Sequence, residues 1–180
     1  MKYVLFFGGL TLMLSACALT LKDTPPLEVV EFVDLERYLG KWYEIASYPA
    51  WFSKECTATT AEYSLLPDGK IRVVNRCRKG NLDGPQKEAK GKAEIVDKTT
   101  NAKLKVWFFW PFKGNYWIID LDDEYQWAVV GEPKREYLWI LSRKPHMDSA
   151  LYDEIVTRLM KKGYDPDRLN KTLQPDEVEE

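Results

Sequence analysis

The chain has 180 residues, enough for one domain with a sizeable core, and its formal net charge of −2 gives no sign of a nucleic-acid surface. Aromatic residues make up 13%, a high share that suits a protein lining a cavity or packing a large sheet. Disorder is expected only in the acidic, aromatic-free tail over residues 174–180.

The first residues read as a targeting segment, with Lys2 as the positive n-region and "YVLFFGGLTLML" as a short apolar h-region. That run is short for a membrane span, and no other stretch is long enough. It ends in Leu14-Ser15-Ala16-Cys17, which resembles the lipobox of bacterial lipoproteins. In that family the signal peptidase cuts before the cysteine, whose thiol and amine carry acyl chains. The resemblance implies a signal peptide over 1–16 and lipidation at Cys17. Ala18 at the next position implies the outer membrane, with the protein facing the periplasm. Three acyl chains exceed the two signals that stable anchoring takes, at ~0.8 kcal/mol per buried methylene. A plain secretory signal with a chance cysteine is the alternative. With Cys17 acylated, Cys56 and Cys77 remain as a pair in an oxidising compartment. Register counting about the "PDG" turn puts Cys77 opposite residues 58 to 60, so a bulge or loop must bring Cys56 closer if they bond. A closed loop of that size stabilises by roughly 3 kcal/mol in the chain-entropy model; two free thiols are the alternative.

Residues 17–31 read as a polar tether containing Pro25-Pro26, and "DLERYLG" as one helical turn ended by Gly40. A train of strands follows, with turn signals at short intervals. In "TAEYSLL" Ala61, Tyr63 and Leu65 share a face, and in "KIRVVNR" Ile71, Val73 and Asn75 do. "KEAKGKAEIV" alternates Ala89, Gly91, Ala93 and Ile95 with charged residues, and "KLKVWFF" sets Leu104, Val106 and Phe108 against Lys103, Lys105 and Trp107. Such alternation gives each strand one wet face and one inward face.

"YWIIDL", "QWAVVG" and "YLWILSR" are apolar on both sides, so something must cover their second face. The candidate is the helix "DSALYDEIVTRLMKKG", with Asp148 as N-cap, Gly163 after its end, and Leu151, Ile155 and Leu159 as its apolar stripe. Eight strands are expected, starting near residues 42, 57, 70, 87, 103, 115, 125 and 137, and "KTLQ" can add a short final one. Short antiparallel connections predict an all-β fold, an eight-stranded up-and-down barrel with one C-terminal α-helix packed outside. The small inward residues Ala61, Ala89, Gly91 and Ala93 argue for a cavity rather than a filled interior.

"GKWYEIA" resembles the first signature of lipocalins, and "LWILSRKP" resembles the third, a strand ending in Arg. "DLDDEYQWAVVGEP" matches the second region loosely, with Asp122 and Tyr125 in place of a tighter Thr-Asp-Tyr. The resemblance covers residues 32–173, and the order of motifs is most similar to the apolipoprotein D-like bacterial outer-membrane lipocalins. It implies that Trp42 plugs the closed end and that Arg143 packs across it, a cation–π contact of ~1–2 kcal/mol when desolvated.

Alternation and resemblance together give an inward, ligand-facing set: Ala61, Tyr63, Val73, Asn75, Ala89, Gly91, Ala93, Val106, Phe108, Tyr116, Ile118, Trp139 and Leu141. Apolar walls with a few polar groups suit a molecule with a long hydrocarbon part, and Tyr63, Asn75 and Tyr116 are placed to orient a head group. The stripe of Ala89, Gly91 and Ala93 is expected to make room for an acyl chain, so that Ala93→Trp would block binding on an intact barrel. The expected role is storage or transport of fatty acids or lysophospholipids for envelope maintenance. The alternative is a ligand-free envelope interaction module, and a homodimer stays open. No enzyme, cofactor or metal site is expected: His146 is the only histidine, Asp122-Asp123 sits in a turn, and no G-x-S-x-G, P-loop or C-x-x-C is present. Trp110, Pro111 and Phe112 occupy a turn where polar residues are expected. They either cap the closed end or form an exposed patch for a partner subunit or the bilayer.

Overall fold

The computed structural model describes residues 25–176; the signal segment, Cys17 and the end of the acidic tail lie outside them. Alternating strands joined by short turns close on themselves. β1 (Gly40–Ser47), β2 (Cys56–Leu65), β3 (Ile71–Lys79), β4 (Gln86–Ile95), β5 (Lys103–Phe109), β6 (Phe112–Leu121), β7 (Trp127–Gly131) and β8 (Leu138–Ser142) pair in sequence order, and β1 pairs with both β8 and β2. All these pairings are antiparallel. Residues that share a cross-strand row share a face. Trp42, Ala61, Asn75 and Ala89 make one inward row, Tyr63, Val73 and Gly91 the next, and Ile71, Ala93 and Val106 a third.

β1 begins beside Trp42 at the base, so the connections over 48–55, 80–85, 110–111 and 132–137 all lie at the opposite end, the mouth. The one-turn helix α1 (Leu35–Tyr38) lies under the base, where the Asp34 side chain accepts from the backbone N–H groups of Glu36 and Arg37. α2 (Ser149–Lys161) starts at its predicted N-cap, Asp148, and is followed by Gly163 at φ +84. Its Ile155 and Leu159 pack against Ile45, Ile119, Trp127, Val129, Leu138 and Ile140. The barrel wall therefore has a core on each side, which explains the strands that are apolar on both faces.

Several boundaries move. β6 starts at Phe112 rather than near 115, and β7 at Trp127 rather than 125. Tyr125 belongs instead to a turn at φ +58, where its hydroxyl accepts from the Asp34 N–H at 2.8 Å. The final strand β9 (Asn170–Lys171) pairs with Ala46 and Ser47 of β1, slightly earlier than "KTLQ" suggests. Beyond it Leu173 O accepts from Ala58 N–H, and Gln174 Nε2 donates to Glu44 O and Thr59 O. Gln174 is thus part of the wall between β1 and β2, not of a solvated tail. Leu27 is likewise buried in the outer core rather than in a free tether.

Cys56 and Cys77 form a disulfide. The bulge needed to bring them together lies between Thr57 and Thr60, with Ala58 at φ +47. It shifts the register enough to place the two Cα atoms 5.5 Å apart.

Candidate functional site: the barrel lumen

The base is sealed by contacts that leave little freedom. Trp42 is 0% exposed, and its indole Nε1 donates to Tyr38 O at 2.8 Å. The Arg143 guanidinium lies 3.7 Å from the ring centroid and donates to the carbonyls of Lys41, Arg37 and Tyr125. Gly40 is required beneath it: its φ is +92, and a Cβ there would come within 3.4 Å of Arg143 Nη1. The aromatic first strand is therefore structural at its base, as the resemblance implies.

Above this plug three tyrosines meet. Tyr116 Oη lies 2.7 Å from Tyr38 Oη and 2.9 Å from Tyr63 Oη. Burial pushes the Tyr63 hydroxyl up to about 12 and holds Tyr38 and Tyr116 well above the usual phenol range. All three stay neutral at physiological pH. Three hydroxyl protons serve two mutual hydrogen bonds, so one O–H donor is left for another acceptor. Sequence reading found Tyr63 and Tyr116 but missed Tyr38, which reaches the lumen from the helical turn below and belongs to no strand pattern.

Among the predicted wall residues, Ala61, Tyr63, Val73, Ala93, Val106, Phe108, Tyr116, Ile118, Trp139 and Leu141 all belong to the interior cluster. Free space within that cluster is small. The hollow among Tyr38, Tyr63, Val73, Ala93, Leu104, Val106 and Tyr116 holds about 10 Å³, room for roughly one water. Ala93, at 4% exposure, is packed rather than open, which corrects the expectation that it makes room for a chain. Gly91 is also filled: a Cβ there would meet Trp107 O at 2.6 Å and the Phe108 ring at 2.9 Å. The glycine admits the neighbouring strand and its phenyl ring.

Toward the mouth the lumen opens. Along β4, burial falls from Ala93 through half-buried Gly91 to exposed Ala89, although all three point inward. β4 pairs with β5 only from Lys92 to Ile95, so the wall between these strands is unpaired toward the mouth. Beside Ala89, from β3 round to β1, the wall is polar. Asn75 Oδ1, Thr59 Oγ1 and Gln174 Oε1 are buried without partners among the described residues. Glu44, on the same face as Trp42 and 8% exposed, accepts from Ser47 Oγ at 2.9 Å and Thr172 Oγ1 at 2.6 Å. Burial pushes its carboxyl above the usual carboxylate range. Strand alternation from Trp42 places Glu44 inward, against the usual exposure of charged side chains.

Phe109, Trp110 and Phe112 are exposed at the mouth end of β5 and β6. The closed-end reading of this turn is wrong: β5 starts at the base, so its far end must lie at the mouth.

A closed antiparallel barrel with a Trp–Arg base seal, a helix outside and an inward apolar wall defines the class. The chain belongs to the lipocalin family: the Lipocalin-like domain model matches residues 33–174. It is 40% identical over 162 residues to temperature-induced lipocalin-1 of Arabidopsis thaliana, covering 83% of this chain and 84% of that one. It is 42% identical over 137 residues to the outer membrane lipoprotein Blc of Vibrio cholerae, covering 76% and 80%. Insecticyanin of the tobacco hornworm Manduca sexta shares the fold, with a TM-score of 0.66 at 21% identity over 84% of this chain and 86% of that one. Lipocalins are in general binding and transport proteins, and the fold goes with a small hydrophobic ligand.

Proposed function

We propose that the upper lumen binds a single-chain lipid, a fatty acid or lysophospholipid. The chain is then an outer-membrane lipoprotein, anchored through acylated Cys17 and facing the periplasm, that stores or moves such lipids for envelope maintenance. The observation that carries the lipid reading is Ala89, an inward-facing residue of the wall that is nonetheless exposed. Apolar surface from Val106, Phe108 and Trp139 lies half-buried around the lumen, ready for a hydrocarbon chain. A carboxylate or ester head has two candidate partners in the spare tyrosine O–H and the amide of Asn75. The outer-membrane assignment is supported by the similarity to Blc and by the lipobox-like run before Cys17.

Ala89→Trp tests the site, because it fills the open part of the wall without entering the packed base. A fluorescent fatty-acid displacement titration should show at least tenfold weaker binding, with an unchanged denaturant midpoint. Normal affinity would place the ligand elsewhere, and no binding by either protein would favour the ligand-free interaction module, which the nearly filled base also suits. Anchoring is tested by Cys17→Ser, which should leave a folded barrel but release it from membrane fractions. A variant that stays membrane-bound after salt washing removes the lipid anchor from the account.

A further inference from the structure

We propose that the mouth of the barrel is a membrane-docking face. Aromatic residues of two rim loops enter the interfacial layer of a phospholipid bilayer, so that the lumen opens onto it. The orientation rests in part on the anchor at Cys17 proposed above; the rim itself stands on the described residues.

Six large aromatic side chains are exposed among the described residues, and only Phe32 lies away from the mouth. Trp51 and Phe52 sit in the β1–β2 connection, while Phe109, Trp110 and Phe112 flank the β5–β6 turn. In an eight-stranded barrel these connections are halfway round from each other, so the rim carries two aromatic prongs on opposite sides. Their exposures are large: 83% at Trp51, 79% at Phe109, 74% at Trp110 and 79% at Phe112. Such surface is unfavourable in water, and Trp in particular partitions to the head-group level of a bilayer. A flat partner is the shape that touches both prongs at once.

Cations stand beside the rings, as an anionic surface needs. Lys113 Nζ lies 4.5 Å from the Trp107 centroid and 5.5 Å from that of Trp110. It is itself paired with the Glu94 carboxylate, so the rim cations unpaired among the described residues are those of the other prong. Lys87 Nζ donates to Phe52 O at 3.3 Å, and Lys54 is exposed in the same loop. The neighbouring acid Glu55 is 3.6 Å from Lys79, which offsets its charge. From one prong a column of rings leads inward: Phe52 and Tyr137 stack at 6.0 Å, and Tyr137 and Trp139 at 6.0 Å. A lipid leaving the bilayer would thus meet aromatic surface from the rim to the lumen wall.

The chain that precedes the described residues selects the bilayer over other occupants. Pro25 O accepts from Arg135 Nη2 at 2.7 Å, and Arg135 lies in the β7–β8 connection at the mouth. The polypeptide therefore enters the fold from the mouth side. Cys17 lies eight residues earlier, a reach of about 28 Å at full extension. Because the chain leaves the fold on the mouth side, an acylated Cys17 brings that end of the barrel to the membrane first.

The test uses the full-length protein purified from membranes and reconstituted into vesicles of phosphatidylethanolamine and phosphatidylglycerol. Lipids brominated in their acyl chains should quench its tryptophan fluorescence, and Trp51→Phe with Trp110→Phe should abolish most of that quenching. Hydroxyl-radical labelling of residues 48–55 and 109–113 should fall severalfold on reconstitution, while the base turns at 66–70 and 122–126 stay labelled. Replacing Phe109, Trp110 and Phe112 by Ser should restore labelling of the rim. These exposed positions are not expected to disturb folding, which a denaturant melt checks. Equal labelling of mouth and base in vesicles overturns the proposal. So does rim protection that appears without vesicles and grows with protein concentration, since a second copy of the chain then covers the patch. The mass of the purified chain reports acylation separately, and the displacement titration reports the lumen. A missing anchor or a ligand-free lumen is therefore distinguished from a rim that does not dock.

Discussion

At the base of the barrel Trp42 is 0% exposed with its indole N–H bonded and a guanidinium on its face, whereas at the mouth Trp110 stands 74% exposed. The same contrast holds for polar groups. At the base the carbonyls of Arg37, Lys41 and Tyr125 all accept from Arg143, while nearer the mouth Asn75, Thr59 and Gln174 each bury an oxygen without a partner. Buried polar atoms are ordinarily paired. The sealed end thus carries paired polar groups, and the unpaired ones lie on the side where the lipid site is proposed.

The largest expected effect breaks the sealed end. Trp42→Ala should lower unfolding free energy by about 3–5 kcal/mol in a denaturant titration, as emptying a packed core site does. Arg143→Ala should cost less on its own, and a double-mutant cycle should show coupling, because the guanidinium sits on the indole. Strict additivity would mean that the carbonyls, not the ring, hold Arg143 in place.

A smaller effect is expected at the boundary between the two regions. Tyr116→Phe removes the hydroxyl shared by Tyr38 and Tyr63 and should destabilise the barrel by about 1–2 kcal/mol. If the spare proton of the triad serves the lipid head, fatty-acid affinity falls as well. Lost stability with unchanged affinity would assign the triad wholly to the base.

The smallest effect belongs to Glu44 and has a defined sign. Its folded-state carboxyl is held above the usual range by burial, so the native protein keeps a proton that the unfolded chain releases near pH ~4.3. Its contribution is fully present below that pH and is lost as pH rises through the folded-state value. Glu44→Gln should therefore flatten the pH dependence of stability from its acidic side and raise stability at neutral pH. A steeper decline in the variant would show that the hydroxyls of Ser47 and Thr172 favour the charged form more than burial disfavours it.

The eight strands, the capped helix outside them and the Trp42–Arg143 pair were legible in the chain alone, because each depends on local periodicity or on a motif only a few residues long. Alternation along β4 fixed which way Ala89, Gly91 and Ala93 point, since a side chain's face follows from its place in the strand. Whether that face meets space or atoms depends on the strand opposite, and only closure decided it: Phe108 fills the room at Gly91, the packed base encloses Ala93, and Ala89 stays open. Closure also brought Tyr38 to Tyr116 across 78 residues and set Gln174 between β1 and β2, contacts that no local pattern encodes. It placed the Phe109–Phe112 turn at the mouth, because the end a turn occupies depends on strand direction around the whole barrel rather than on the residues within the turn.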